Sequence, residues 1–323
     1  MTLRPCCEPR TLYLLSCAET AEGGGVYRYA LSPDGRLTEE ARLPCPMPMY
    51  AVYGGGRLHI LLRAPFAGSE NSGYISCAPD FSDLTPPQDT QGRCACHLTA
   101  DGGEVYIANY LSGNLTRIAK TGGTTVTHSG RGSNLPRQDA PHPHFVCLSP
   151  DGNYLLCCDL GLDTVFFYDR ALREVSRAKV PDGHGVRHLA FAPDGRYFYA
   201  VNELIPSVSR FSYGDGRAVC LDTVPLPCAA SGATAAAIRT DEDGKRLYVS
   251  VRAEDRLFVL DAGHGTPSLI ADAPCGGRGP RDFALFGDRI VCTNENSDNV
   301  TVLDKRTLSL LGEIPLRAPL CVL

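Results

Sequence analysis

The segment Gly185–Leu204, with the sequence GVRHLAFAPDGRYFYAVNEL, sets the pattern from which the fold of this chain can be predicted. Two runs of alternating apolar residues, one around Leu189 and one around Tyr199, flank the dipeptide Asp194-Gly195. Asp-Gly between apolar runs is a strong hairpin signal, because glycine adopts the positive φ that a tight turn needs. We therefore predict a β-hairpin over this segment.

The two ends of this hairpin carry polar side chains. Arg187 and His188 stand at the start of the first apolar run, and Asn202 and Glu203 follow the second. A hairpin brings its two ends side by side, away from the turn. We therefore expect Arg187 and Glu203 to be neighbours on one edge of a sheet.

The same hairpin recurs along the chain. Turns with Asp-Gly, each followed by an apolar run, occur roughly 43 to 50 residues apart at Asp101, Asp151, Asp194 and Asp243. A third apolar run follows each clear copy, as in Thr164–Tyr168. A period of this size with several short strands per copy is typical of the blades of a β-propeller.

Five clear copies and two weaker ones, within residues 11–31 and 49–81, make about seven blades. We predict an all-β fold with almost no helix: a seven-bladed β-propeller with four-stranded antiparallel blades around a central channel. We expect residues 1–323 to form this single domain. The repeat does not identify the blade in which the ring closes.

Composition narrows the class of function. The chain has 323 residues, 43% of them hydrophobic, and a net charge of −5 without a basic run, so we expect no nucleic-acid partner. No apolar stretch reaches the roughly 18 residues of a membrane span, and residues 1–17 lack the features of a signal peptide. We expect a cytoplasmic protein without a membrane partner, either a monomer or a weak homo-oligomer.

The fifteen cysteines are scattered, and several, such as Cys157 and Cys292, lie inside apolar runs. A disulfide framework is typical of short secreted chains, so we interpret these residues as buried free thiols. Cys94–His97 holds two cysteines and a histidine that could bind a metal, but no second ligand pair accompanies them. We expect no metal and no other cofactor.

One face of the predicted propeller is rich in functional groups. In each blade, the residues before the first strand and after the second strand open on the same face. The polar or aromatic residues in these positions are His142, His144, Arg187, His188, Arg281, Asn109, Tyr110, Asp159, Asn202, Glu203, Arg252, Asn294 and Glu295. Arg137 and Gln138 also precede one of these blades. The opposite face carries the Asp-Gly turns.

Arginines, histidines and a glutamate around a channel mouth would form an anion-binding pocket with acid–base capacity. Each candidate also has a purely structural interpretation. Arg187 and Glu203 could only brace their hairpin, and Arg281 could only pair with the aspartate that follows it. The other candidates could be solvated, cap a loop or face a neighbouring strand: Arg252, His188, His142 and His144.

Several stretches within residues 95–303 occur together, in order and at related spacings. They are 108–113 (ANYLSG), 142–163 (beginning HPH and ending DLGLD), 187–191 with 202–204, 247–252, and 280–283 with 296–300. This set resembles the seven-bladed propeller lactonases. That family includes bacterial 6-phosphogluconolactonases and fungal 3-carboxy-cis,cis-muconate lactonizing enzymes.

The resemblance implies an active site at one channel mouth, with His144, Arg187 and Glu203 as catalytic residues. It implies a further substrate contact from Arg252. Because they lie on the same predicted face, we also expect substrate contacts from Arg281, His188, His142 and Asn109. The expected activity is hydrolysis of a small anionic sugar lactone, 6-phosphogluconolactone, to 6-phosphogluconate, without a metal. Either Glu203 or His144 would take the proton from water.

Two alternatives stay open. A muconate-type lactonizing cycloisomerase would use the same acid–base pair for intramolecular lactone formation. A non-catalytic propeller that serves as a protein-binding platform is the second alternative, because a fold does not determine a function.

Overall fold

The computed structural model describes residues 9–20, 23–120, 122–263 and 265–323. Within these ranges the chain forms 28 strands in seven four-stranded antiparallel sheets, and two short 3₁₀ turns at Leu160–Leu162 and Glu295–Ser297. The predicted all-β, seven-bladed propeller with almost no helix is confirmed. No helix in the described ranges is long and apolar enough to cross a membrane. The cytoplasmic location and the oligomeric state stay predictions.

The strands follow one another in chain order, blade by blade. Blade 1 contains β1 (Arg10–Ser16), β2 (Gly25–Leu31) and β3 (Leu37–Pro44), blade 2 contains β4 (Pro48–Gly54), β5 (Arg57–Leu62), β6 (Asn71–Cys77) and β7 (Gln88–Arg93), and blade 3 contains β8 (Ala95–Asp101), β9 (Glu104–Asn109), β10 (Asn114–Ala119) and β11 (Gly122–Thr127). Blade 4 contains β12 (Pro143–Leu148), β13 (Tyr154–Asp159), β14 (Thr164–Asp169) and β15 (Glu174–Lys179), and blade 5 contains β16 (Val186–Phe191), β17 (Tyr197–Asn202), β18 (Ser207–Gly214) and β19 (Arg217–Pro225). Blade 6 contains β20 (Thr234–Thr240), β21 (Arg246–Arg252), β22 (Arg256–Asp261) and β23 (Ser268–Pro274), and blade 7 contains β24 (Pro280–Phe286), β25 (Arg289–Asn294), β26 (Asn299–Asp304) and β27 (Leu310–Pro315).

The ring closes in blade 1. The last strand, β28 (Pro319–Val322), pairs antiparallel with β1 and becomes the innermost strand of that blade. Blade 1 therefore combines three strands from the beginning of the described chain with one from the end. This pairing answers the question that the repeat left open.

The hydrophobic core lies between neighbouring blades. Phe198 of blade 5 stacks on Phe211 with ring centroids 4.6 Å apart, and Phe167 of blade 4 packs in the same cluster. Second strands such as β17 are almost fully buried and innermost strands such as β16 are buried or half-buried, whereas outer strands such as β19 alternate between exposed and half-buried residues. This gradient follows from the geometry, because the free edge of the outer strand faces solvent, whereas that of the innermost strand faces the narrow channel.

A β-bulge interrupts the innermost strand of each described blade at an equivalent position. The strand register skips one residue of the innermost strand in six blades, and in blade 6 it skips Ala236 together with Ala237. We call these residues the bulge ring: Leu320, Met49, Cys96, His144, Arg187, Ala236 and Arg281, in order from blade 1 to blade 7. A bulge changes the direction of a side chain relative to the regular pleat. Six of the seven residues line one cavity in the channel, and Ala236 is the exception.

The thirteen cysteines in the described ranges are free thiols, and each is buried or half-buried. Cys96 faces the channel cavity as a member of the bulge ring. The described residues contain no group of three or more histidine, cysteine or acidic side chains placed to hold a metal ion.

Candidate active site

The bulge ring is chemically divided. Blades 1 to 3 contribute apolar or weakly polar side chains, whereas blades 4, 5 and 7 contribute His144, Arg187 and Arg281. Residues that follow the bulges, His188 and Asp282, line the same cavity. The ionisable groups therefore gather on one side of the channel.

Glu203 is the centre of a cluster of arginines at this mouth. One carboxylate oxygen, Oε1, accepts a hydrogen bond from Nη2 of Arg137 at 2.6 Å. The other, Oε2, accepts one from Nε of Arg187 at 2.9 Å and lies 3.0 Å from Nη2 of Arg252. The predicted neighbourhood of Arg187 and Glu203 is confirmed, and two further arginines join it.

The environment keeps Glu203 ionised. Its side chain is 4% exposed, and burial alone would raise the pKa of its carboxyl group. The guanidinium groups of Arg252 and Arg187 outweigh burial and hold the pKa of Glu203 far below its usual range. A carboxylate with both oxygens engaged by arginines is a poor proton acceptor.

His144 lies beside this cluster and lines the channel cavity. It is 6% exposed, and its Nδ1 has no hydrogen-bond partner in the described part of the chain. Burial, reinforced by the positive charge of Arg187, holds the pKa of His144 well below its usual value. His144 is therefore a neutral imidazole at physiological pH, and it can accept a proton.

Arg187 is fixed from several directions. Besides Glu203, it donates from Nη1 to the carbonyl oxygen of Ala236 at 2.7 Å and to Nε2 of His188 at 3.0 Å. Burial, followed by the nearby charge of Arg252, lowers the pKa of Arg187 to about 9. That value is above neutral pH, so the guanidinium keeps its charge.

Two more histidines, His188 and His97, lie near His144 and Arg187. His188 has ring contacts with His144 (centroids 5.3 Å apart) and with His97 (5.4 Å). Arginine can only donate, so the bond from Arg187 places the proton of His188 on Nδ1. Burial lowers the pKa of both His188 and His97 well below the usual value, so both are neutral.

Arg281 extends the polar side of the cavity into blade 7. Its Nη1 donates to Oε2 of Glu295 at 3.0 Å rather than to the adjacent Asp282. Asp282 instead accepts a hydrogen bond from Nη2 of Arg239 at 2.7 Å, further along the channel. The structural alternative, in which Arg281 only pairs with the residue that follows it, does not describe this structure, because the strand sends the two side chains to different partners.

The structure does not bring Asn109 into the site. Its side chain is fully buried, and Nδ2 donates to Oγ1 of Thr116 at 3.1 Å and to the carbonyl oxygen of Thr90 at 3.2 Å. These bonds join the second and third strands of blade 3 to the outer strand of blade 2. Asn109 is a brace of the sheet.

His142 lies behind the cavity instead of lining it. Its ring stacks on Tyr110, with centroids 4.4 Å apart, and Nδ1 contacts the carbonyl oxygen of Tyr110 at 3.1 Å. Tyr110 in turn meets His144 edge to face, with centroids 5.6 Å apart. His142 therefore supports a wall of the site through Tyr110.

Two residues with no predicted role belong to the cluster, Arg137 and Tyr110. Arg137 lies on the 128–142 loop between β11 of blade 3 and β12 of blade 4, and this loop brings it to Glu203 of blade 5. Gln138 fixes the loop, because its buried Nε2 donates to the carbonyl oxygen of Leu160 and to Oδ1 of Asp163, both at 2.8 Å. The sequence shows that Arg137 precedes a blade. Its contact with Glu203 could not be predicted, because the residues of an irregular loop have no repeating pattern that fixes the direction of their side chains.

Comparison with known proteins gives a consistent result. A family model described as lactonase, 7-bladed beta-propeller, matches residues 11–323. An uncharacterised protein of Staphylococcus aureus is 29% identical over 272 residues, which are 81% of this chain and 75% of that protein. A solved structure from Lactobacillus plantarum is 28% identical with a TM-score of 0.87, covering 97% of this chain and 98% of that one. A periplasmic gluconolactonase of Pseudomonas aeruginosa is 25% identical with a TM-score of 0.83, covering 97% and 99%.

Proposed function

The chain belongs to the seven-bladed β-propeller lactonase family, and on this premise we propose that it hydrolyses a sugar lactone, 6-phosphogluconolactone in particular, to the open-chain acid. The observation that carries the proposal is the neutral, buried His144 beside a carboxylate held by three arginines. A site of this kind combines a proton acceptor with fixed positive charge, and lactone hydrolysis needs both.

His144 is the general base of this proposal, and Glu203 is a positioning residue. Glu203 has a strongly lowered pKa and both of its oxygens are occupied by arginines. Its negative charge instead holds Arg137, Arg187 and Arg252 in place. His144 carries no charge and its Nδ1 has no partner among the described residues, so it is the available acceptor.

The reaction follows from these roles. His144 takes a proton from water while the water oxygen attacks the carbonyl carbon of the lactone. The carbonyl electron pair moves onto oxygen, and the guanidinium groups of Arg187 and Arg252 stabilise that oxyanion. When the intermediate collapses, the ring C–O bond breaks, and the proton returns from the imidazolium to the leaving alkoxide oxygen.

A sugar lactone is the best-supported substrate class. The Pseudomonas aeruginosa relative bears the name gluconolactonase. The arginines at the mouth add affinity for an anionic group such as a phosphate, because a guanidinium fork matches its geometry. These two points favour a phosphorylated gluconolactone.

The test is a hydrolysis assay with 6-phosphogluconolactone and unphosphorylated glucono-δ-lactone, corrected for spontaneous ring opening. His144→Gln should lower kcat by about 100-fold or more, the usual contribution of a general base. His59→Gln is the matched control, because His59 bonds to Tyr74 and Gly54 within blade 2, away from the site. The control should leave kcat unchanged.

Three results would overturn parts of this proposal. Absence of hydrolysis with both lactones rejects a sugar lactonase, and turnover of a carboxymuconate in the same preparation would instead favour the cycloisomerase. Full activity of His144→Gln removes His144 as the base. Preference for the unphosphorylated lactone rejects the phosphorylated substrate.

A further inference from the structure

A second concavity opens next to the arginine cluster, between blades 6 and 7. It has a volume of about 390 Å³, and we call it the lateral cleft. Thr234 of β20 and Arg252 of β21 form one wall. Arg278, which precedes β24, and Asn296, which follows β25, form the other.

Two residues that line the lateral cleft also contact residues of the candidate site. Arg252 lines the cleft and lies 3.0 Å from Glu203. Glu295 also lines the cleft, and its Oε2 accepts the hydrogen bond from Arg281, which lines the channel cavity. A molecule with its reacting group beside His144 would therefore extend naturally into the cleft.

The cleft walls alternate hydrogen-bond donors and acceptors. Arg278 and Arg252 carry donors only, whereas Asp255 and Glu295 carry acceptors. The charges of these two arginines and two carboxylates balance. A balanced set of this kind does not favour a lone anion, but it fits hydroxyl groups, each of which donates one hydrogen bond and accepts others.

Several polar groups of the cleft are free to bind a ligand. Within the described ranges, the side chains of Thr234 and Asn296 make no hydrogen bond, and Nε of Arg252 is buried without a partner. Thr234 is half-buried and Asn296 is exposed, so a ligand in the cleft can reach both side chains. The cleft therefore offers side chains that can form hydrogen bonds with a ligand.

The wall beside Arg252 is held in a fixed shape. Ala253 and Asp255 have positive φ values of 67° and 54°, which non-glycine residues adopt rarely. Oδ1 of Asp255 accepts a hydrogen bond from the backbone N–H of Gly279 at 2.7 Å and so links blade 6 to blade 7. The cleft is therefore formed before any ligand arrives.

We propose that the lateral cleft binds the hydroxyl-bearing ring carbons of the substrate, its uncharged polyol part, while the lactone carbonyl lies beside His144. This inference rests on the proposed function and assigns a specificity-determining role to Thr234 and Asn296. The hydroxyl groups of the sugar ring exchange hydrogen bonds with these two side chains. A lactone without hydroxyl groups gains nothing from the cleft.

The test compares glucono-δ-lactone with δ-valerolactone, which has the same ring without hydroxyl groups. The variants are Thr234→Val, which keeps the shape and removes the hydroxyl, and Thr234→Val combined with Asn296→Ala. The double variant should lower kcat/KM for gluconolactone by about 10-fold, the effect of one or two lost hydrogen bonds, and leave δ-valerolactone within about 2-fold. Thr124→Val, an exposed site on an outer strand, is the matched control.

A binding experiment separates this inference from the proposed function. Calorimetry measures the affinity of each variant for D-gluconate and for 5-hydroxypentanoate, the two ring-opened products. If the wild-type protein hydrolyses no lactone, the proposed function fails, but a preference for gluconate that the double variant loses still supports the polyol subsite. Equal losses with both lactones, no loss with either, or no preference for gluconate in the wild type would overturn it.

Discussion

Glu203 illustrates how one buried carboxylate can organise a site without taking part in proton transfer. Moving a carboxylate out of water is costly, and only close opposite charges repay the cost. Here three guanidinium groups surround it, and they differ in exposure: the side chain of Arg187 is 3% exposed, whereas that of Arg137 is 45% exposed. Arg137 is therefore the partner that can move towards a ligand most easily.

The protonation of His144 gives a prediction for the pH dependence of catalysis. The neutral imidazole is the active form, and burial and Arg187 hold its pKa well below 6.5. As pH falls, kcat/KM should therefore stay constant through pH 6.5 and decline only when the pH passes through this lowered pKa. A pH–rate profile from about pH 4 to 7.5, with spontaneous hydrolysis subtracted, measures the acid limb.

The pH–rate profile of the Glu203→Gln variant, compared with that of the wild-type protein, tests the same assignment. The negative charge of Glu203 raises the pKa of His144, so its removal lowers that pKa further. The acid limb should then move to lower pH, although the total rate also drops because three arginines lose their common partner. An acid limb at or above pH 6.5, or a shift to higher pH in Glu203→Gln, contradicts the assignment of His144 as the base.

At the scale of the strand pair, one brace recurs around the ring. An asparagine at the end of a second strand donates from Nδ2 to a hydroxyl seven residues later, on the third strand. The described pairs are Asn109 with Thr116 (3.1 Å), Asn202 with Ser209 (2.9 Å) and Asn294 with Thr301 (3.1 Å). The repetition explains why Asn109 occupies a site-facing position in the sequence and yet serves the sheet.

This brace predicts a change in stability without a change in substrate binding. Asn109→Ala should lower the free energy of unfolding by roughly 1–3 kcal/mol, because it leaves buried hydrogen-bonding groups without a partner. KM for the lactone should stay at the wild-type value, since Asn109 does not line the cavity. Urea unfolding and steady-state kinetics measure the two effects, and a raised KM with unchanged stability would return Asn109 to the site.

The strand pairs also show what a sequence of this kind can predict. The Asp-Gly turns and the alternation of apolar residues are local, so they were sufficient for the hairpins and for the pairing of Arg187 with Glu203. A bulge is defined only by the register of the partner strand, so the bulge ring could not be predicted. Arg137 was missed as a partner of Glu203 because the 128–142 loop has no regular period, and the direction of the Asn109 side chain depends on Thr116 and Thr90.

At the scale of the whole molecule, the channel joins seven blades that differ in chemistry but share one geometry. Each blade has a bulge at an equivalent position of its innermost strand, and the identity of the bulge residue decides the local chemistry. A change of the site therefore needs no change of the fold, provided that the ring stays closed. The pairing of β28 with β1 in blade 1 closes this ring, and we expect the integrity of the site to depend on it.

Removal of residues 319–323 tests this dependence. Leu320, Cys321 and Val322 are each at most 6% exposed, and burial of a side chain of this kind contributes about 1.5–3 kcal/mol. The truncation should lower the free energy of unfolding by roughly 5 kcal/mol, a large part of the stability of a typical domain. Circular dichroism during urea unfolding measures the loss, and lactone hydrolysis should disappear with it.

Two full-length variants show whether the effect arises from the closing strand. Cys321→Ala keeps the strand and should cost only about 1 kcal/mol, because it removes a single buried atom. Cys321→Asp should be nearly as damaging as the truncation, because it buries a second carboxylate close to Asp282. Burial and then the negative charge of Asp282 already raise the pKa of the Cys321 thiol, and the second effect shows how close the two groups are. If the truncated protein unfolds at the same urea concentration as the wild type, packing between blades holds the ring by itself, and the closing strand does not stabilise the site.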